Sequence, residues 1–395
     1  MISGHEMAHT RIRQIAERRL IIASLLREIG ETGVQTHIGA VRDFFKHIGV
    51  PVHVLTPFDA PKLFVFPILA LRRPIERISG SLAVWWYRTF HSRLLRALLA
   101  GALSDKQRTV IYAQCPLSAW AALESRTARQ RVVMAVHFNR SQALEWCEKG
   151  EISFGGRVFT AIHQLEKDVL PKLDGIVYVS RYMKDCLEED IPSIINIPSA
   201  VIPNFSNTQE SISSDKIGDL VSIGTLENRK NQCYLLHILA SASKLGYTYS
   251  LALIGDGPER TTLENLACSL GIRDQVVFHG YREKAAALLP SYRMYVHSAL
   301  RENLPVAIIE AMACGMPLAA LPVGGIPEIF SDGIEGIYWP LDDPVESARR
   351  LISVMEVQST FAGMAIAAMG RFRNHFATDK VASQLETFLF PDRGV

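Results

Sequence analysis

Net charge is the first thing this sequence lacks: 42 Lys and Arg are set against 40 Asp and Glu, for a formal net charge of +2. So even a balance gives no global electrostatic case for a nucleic-acid partner, and none is expected. Cysteine is sparse. The six, at positions 115, 147, 186, 233, 268 and 314, form no C-x-x-C pair and no metal-like spacing, so they read as core thiols of a reducing compartment. No uninterrupted apolar run of about 18 residues occurs, so no spanning helix is expected. Met1 to Arg19 is polar and His/Arg-rich, without the apolar centre of a secretory signal, and the expected location is cytoplasmic. No Asp-x-Asp pair closes a strand, so no metal site is expected, and no Ser-His-Asp or Cys-His constellation offers a side-chain nucleophile.

What is present is apolar in 48% of 395 residues, enough for two or three domains. Strand-length apolar runs alternate with helix-patterned ones in both halves, the pattern of two α/β domains with parallel sheets, and no solenoid repeat is visible. Ser206 to Asp219, rich in Ser, Asn and Asp, reads as the linker between them. Residues 1–18 read as a polar extension without an assigned role.

One stretch carries chemistry in its spacing: Ser298-Ala-Leu-Arg-Glu302-Asn303-Leu304-Pro305-Val306-Ala-Ile-Ile-Glu310-Ala-Met-Ala-Cys-Gly315. It reads as a loop feeding a helix, with Pro305 in the first turn, where its missing N–H costs nothing, and Gly315 at the stop. Unpaired amides at the helix start make an anion site. A carboxylate beside that site would repel phosphate, so Glu302 and Glu310 are better suited to accept from hydroxyls. Phosphate on amides and hydroxyls on carboxylates describe a sugar nucleotide. The plainer alternative is a surface helix with two solvated glutamates.

Other candidates lie on strand ends. Gly30-Glu-Thr-Gly33 joins the apolar run Arg19–Leu25 to the helix-patterned Val34–Lys46, at the edge where open α/β sheets bind ligands, or as an ordinary tight turn. The strand Arg131–Val136 ends in His137, placed to touch a ligand or satisfied locally by backbone. Leu220–Gly224 leads through Thr225 to Arg229-Lys230 before the helix Gln232–Leu245, which is a diphosphate clamp or two surface cations. Ser250–Ile254 runs into Gly255-x-Gly257, with no third glycine in register for a dinucleotide fingerprint. Val276–Gly280 is followed by Tyr281-Arg282.

Glu302 and Glu310 match the E-x7-E motif of the retaining, GT-B-fold glycosyltransferases of family 4, as do Glu310-Ala-Met-Ala-Cys-Gly-Met-Pro-Leu-Ala and Gly324-Gly325-Ile-Pro-Glu328 after them. The resemblance, of bacterial surface-polysaccharide type, is specific from about Val221 onward and fainter back to Leu20. It implies a GT-B architecture: two Rossmann-like parallel-sheet domains facing a central cleft, residues 19–205 for the acceptor and 206–374 for the nucleotide-sugar donor, with the last helix, within 375–395, crossing back to the first domain. It implies a hexosyltransferase-type enzyme that retains anomeric configuration, has no cofactor and no metal, and passes sugar from a nucleotide-diphospho-sugar to a hydroxyl. Lys230, with Arg229 as a second cation, and the loop Asn303-Leu304-Pro305-Val306, through its N–H groups other than at the proline, would hold the diphosphate. Glu310 would hold ribose hydroxyls, Glu302 the transferred sugar, and His137 would help from the first domain. Gly33, Gly224, Gly255, Tyr281 and Arg282 align with other donor-binding positions. Thr225 stands where the family has Arg, and Asn231 where it has Gly, which leaves the second cation open. The rival readings are a non-catalytic nucleotide-sugar-binding scaffold and a GT-B sugar-nucleotide epimerase or phosphorylase.

Residues 62–103 differ from their surroundings. They mix Phe64, Phe66, Trp85, Trp86 and Tyr87 with Lys62, Arg72, Arg73, Arg77, Arg88, Arg93 and Arg96, and are nearly free of acid. Amphipathic helices of this kind suit an in-plane seat on an anionic membrane, which would make the protein peripheral on the inner membrane and favour a lipid-linked or growing polysaccharide acceptor. The alternative is two core-packed helices with a solvated basic face.

Overall fold

The computed structural model describes residues 18–30, 32–103, 108–207 and 216–391. They form two compact units, divided at Pro203/Asn204 and again at Val381/Ala382, so that the chain leaves the first unit and returns to it.

The first unit holds strands β1 (Arg18–Ala23), β2 (Val52–Leu55), β3 (Arg108–Ala113), β4 (Gln130–Val136), β5 (Gly175–Tyr178) and β6 (Ser199–Val201). All pair in parallel in the order β2-β1-β3-β4-β5-β6. A parallel sheet must be covered on both faces, which is why Leu20-Ile-Ile-Ala23 and Val132-Val-Met-Ala-Val136 are continuous apolar runs with no exposed side chain. Arg18, expected to close the polar extension, is the first residue of β1 and pairs with Glu386 at 2.8 Å; residues 1–17 lie outside the described residues.

The second unit holds β7 (Gly218–Ile223), β8 (Leu251–Ile254), β9 (Val276–Gly280), β10 (Tyr292–His297), β11 (Leu318–Ala320) and β12 (Gly336–Tyr338). Its parallel order is β12-β11-β10-β7-β8-β9. The direction of winding reverses between β7 and β10, and ligands of such sheets bind in the crevice outside the carboxyl ends of those two strands. Strand β12 was not expected, because three residues are too few to show a period. Its Gly336 packs so closely on β11 that a Cβ would lie 2.1 Å from the Leu318 carbonyl oxygen. The linker is shorter than its composition suggests: Ser206 pairs with Ala377, β7 begins at Gly218, and 208–215 lie outside the described residues.

Helices Lys62–Ile78 and Gly80–Ala102 pack on each other, with one face buried and another exposed. Arg88, His91, Leu95 and Leu99 are buried, and Trp86 donates to the Ile68 carbonyl at 3.2 Å. Trp85 and a stripe of Leu63, Phe66 and Ile78, the last 80% exposed, face out beside Arg73 and Arg77.

Candidate donor site of the second unit

Three glycines bring the strand ends of the second sheet together. Gly255 N–H donates to the Gly280 carbonyl at 3.0 Å, and a Cβ on Gly255, at φ +143°, would lie 2.0 Å from the Gly224 carbonyl oxygen. The backbones after β7 and β8 therefore approach more closely than a side chain at position 255 would permit. Thr225, next in line, is exposed, and its carbonyl accepts from Gln232 at 2.9 Å. Tyr281 and Arg282, just beyond Gly280, are exposed.

Arg229 and Lys230 sit on a short 3-10 turn, Asn228–Lys230, which Asn231 closes at φ +52° before the helix Gln232–Lys244. The loop after β10 is tied to this turn: Leu300 N–H donates to the Arg229 carbonyl at 3.0 Å, and the Ser298 hydroxyl to the Lys230 carbonyl at 2.9 Å. That delivers Glu302 to the two cations. Its Oε1 accepts from Lys230 Nζ and, at 3.2 Å, from His297 Nε2, while Oε2 lies 3.9 Å from Arg229. Burial by itself would push the Glu302 carboxyl up, but Lys230 foremost, then His297 and Arg229, hold it well below the usual carboxylate range. Arg229 also binds Glu227 at 2.8 Å, so the second cation is shared between two carboxylates. Glu302 and Lys230, expected to act on different parts of a ligand, are ion-pair partners in the structure.

The Glu302 loop is held from beneath. Gly325 N–H donates to the Asn303 carbonyl at 2.9 Å, and Asn204 Nδ2 to the Leu304 carbonyl at 2.8 Å. A Cβ on Gly324, at φ +58°, would lie 1.7 Å from the Glu302 carbonyl oxygen. The helix Val306–Ala313 follows, with Pro305 one position earlier than expected, as its N-cap, and Gly315 at φ +66° past its end. Glu310 stands within this helix, and burial pushes its carboxyl up to about 7.

His297 was missed by the sequence reading, which took it only as the end of a strand. It is 3% exposed, with its ring stacked on Tyr295 at 6.2 Å and its carbonyl accepting from the buried Trp339 Nε1 at 3.0 Å. The available signal was a polar side chain in the otherwise apolar Met294-Tyr-Val-His297 run, five residues before Glu302.

Gly33 and His137 belong to the first unit. Gly33 opens the helix Gly33–His47 behind a Thr32 cap, one residue earlier than expected. His137 Nε2 lies 3.0 Å from Gln114 Oε1, whose amide nitrogen donates to the Tyr112 carbonyl at 3.2 Å. That fixes the amide so that His137 donates from Nε2 and keeps a lone pair on Nδ1. Burial, with His37 4.6 Å away ring to ring, holds its pKa well below the ordinary histidine value, so the ring is neutral. Among the described residues no group of three or more His, Cys, Asp or Glu is placed to hold a metal ion.

Two parallel α/β units, one with charged groups gathered at its switch point, define the GT-B class of fold. The comparisons agree. The model described as Glycosyltransferase Family 4 matches residues 32–210, and that described as Glycosyl transferases group 1 matches 206–368. The chain belongs to this glycosyltransferase family. It is 32% identical over 140 residues to N-acetyl-alpha-D-glucosaminyl L-malate synthase of Bacillus anthracis, a match covering 35% of this chain and 37% of that protein. It is 31% identical over 178 residues to D-inositol 3-phosphate glycosyltransferase of Frankia alni, covering 40% and 42%. The matched stretches thus span well under half of these curated relatives. Among solved structures, Anabaena Alr3699/HepE in complex with UDP and glucose superposes with a TM-score of 0.68 at 18% identity, covering 94% of this chain and 99% of that one. Sucrose-phosphate synthase from Thermosynechococcus elongatus superposes at 0.70 and 16%, covering 94% and 98%.

Proposed function

We propose that this protein transfers a sugar from a nucleotide-diphospho-sugar to a hydroxyl acceptor, with retention at the anomeric carbon and without a metal ion. The observation that carries the reading is the convergence of Lys230, Arg229 and Glu302 on the switch-point edge of the second sheet, beside the helix that bears Glu310. In the reaction the bond from the anomeric carbon to the diphosphate oxygen breaks and the bond to the acceptor oxygen forms on the same face. The acceptor proton passes to the leaving phosphate, so no side-chain nucleophile is required. The chief task is to stabilise charge on the leaving oxygens. Lys230, Arg229 and the N–H groups of Asn303, Leu304 and Val306 supply it. Glu310 accepts from the ribose hydroxyls and Glu302 from those of the transferred sugar. His137, neutral, offers Nδ1 as a hydrogen-bond acceptor.

The acceptor we favour is a lipid-linked or growing polysaccharide intermediate at the inner face of the cytoplasmic membrane. The outward stripe of Leu63, Phe66 and Ile78 with Arg73 and Arg77 supports it, since apolar side chains enter the bilayer boundary while guanidinium groups meet anionic headgroups. No single described helix is long and apolar enough to cross a membrane.

The test is a thermal-shift panel of UDP, GDP, ADP and their sugar conjugates in EDTA. A ligand specific to the folded state at a hundred times its dissociation constant adds roughly 3 kcal/mol. A clear response to one nucleoside diphosphate and its sugar is the expected result, and UDP-glucose leads the panel because HepE is described with UDP and glucose. Silence from every nucleotide with well-folded protein turns the reading to a non-catalytic scaffold.

A further inference from the structure

We infer that His297 is a positioning residue that takes over the Glu302 carboxylate when a donor diphosphate draws Lys230 away; this deepens the proposed function and rests on it. One oxygen of Glu302 is shared between two donors of different kinds. Lys230 is a point charge on a flexible stem, free to turn toward a better anion. A diphosphate brings more negative charge than the carboxylate does, and it would compete with Glu302 for the cation. His297 cannot follow such a movement. It is buried, stacked on Tyr295, and its backbone is pinned by Trp339.

The histidine is suited to the handover. Its Nε2 faces a carboxylate oxygen that has no proton to give, so Nε2 carries the hydrogen. Burial foremost, with Lys230 and Arg229 adding to it and Glu302 opposing, lowers its pKa, so the ring donates one hydrogen bond as a neutral group. It therefore keeps Glu302 oriented without competing as a cation for the diphosphate. With Oε1 held by His297, Oε2 is left to accept a sugar hydroxyl. Diphosphate recognition by Lys230 and sugar recognition by Glu302 are then successive uses of one ion pair.

The experiment compares His297→Leu, His297→Gln and His297→Asn with the unsubstituted full-length protein. Calorimetry reads the affinity for UDP, GDP and ADP against that for UDP-glucose, GDP-mannose and ADP-glucose, and Tm reports the fold. For the nucleotide that binds, His297→Leu is expected to leave the bare diphosphate within about twofold and weaken the sugar conjugate by about ten- to a hundredfold, the worth of a buried hydrogen bond to a charged group. Gln, whose amide nitrogen reaches the Nε2 position, restores most of that difference; Asn, one carbon shorter, does not. Equal preference for the sugar conjugate in all four proteins overturns the inference, as does a Gln variant no better than Asn, a comparison that stands even if the Leu variant does not fold. If the unsubstituted protein binds no nucleotide, the donor-site reading itself fails, and the inference falls with it.

Discussion

At the scale of single residues, the site contains two carboxylates with opposite ionisation behaviour. Glu302 is held low by its cations, so the stability it contributes is present above the ordinary carboxylate pKa and is lost only in strong acid. Glu310 is the reverse. With its carboxyl raised to about 7 in the fold, it contributes stability below the ordinary carboxylate pKa that is lost as pH rises through about 7. Glu310→Gln is therefore expected to match the unsubstituted protein at pH 5 and to exceed it at pH 8, by up to about 3 kcal/mol in urea unfolding. Its donor affinity should fall, because an amide presents one acceptor where a carboxylate presents two. Donor affinity of the unsubstituted protein should in turn rise between pH 6 and 8, and this rise should vanish in Glu310→Gln. These residues were legible in the sequence because both glutamates lie in one short segment with a recognisable spacing. The pairing of Glu302 with Lys230 was not, since 72 residues separate them and only the switch-point winding of the sheet brings them together.

At the scale of elements, the glycines decide where the loops stand. Gly324 lies against the backbone of Glu302, so Gly324→Ala must both strain a left-handed φ and push that loop away. The expected cost is more than about 2 kcal/mol by urea denaturation, together with loss of the thermal response to a nucleotide sugar. Gly333, also at positive φ but with open space around it, is the control. Gly333→Ala should cost only the left-handed strain, about 1–2 kcal/mol, and leave the nucleotide response unchanged. Strand positions were legible almost throughout, because a strand buried on both faces announces itself as an apolar run. β12 escaped because its role is set by close contact with β11 rather than by pattern. The helices at 62–103 were legible as helices, but a composition that mixes Trp with Arg does not tell which of two adjacent tryptophans turns outward.

At the scale of the whole molecule, the outward stripe is where the proposed membrane seat can be tested. Substituting Leu63 and Phe66 together by Ser should leave Tm unchanged, as both are exposed, 78% and 71% respectively. It should abolish co-sedimentation with vesicles containing anionic lipid, and vesicles of neutral lipid should bind neither protein. Retention of full binding by the double variant would assign the membrane seat elsewhere, and absence of binding by the unsubstituted protein would remove it. The chain's return across Val381/Ala382 has a consequence for how the protein is made. Residues 382–390 close the core of the unit synthesised first: Leu385 and Leu389 are fully buried, Arg131 donates to the Phe388 carbonyl at 2.6 Å, and Arg18 of β1 pairs with Glu386. On the ribosome the earliest-made unit is thus the last to be finished. It must wait, with an apolar seat unfilled, while residues 204–381 emerge and fold, which makes the nascent chain, rather than the mature protein, the stage most in need of a chaperone.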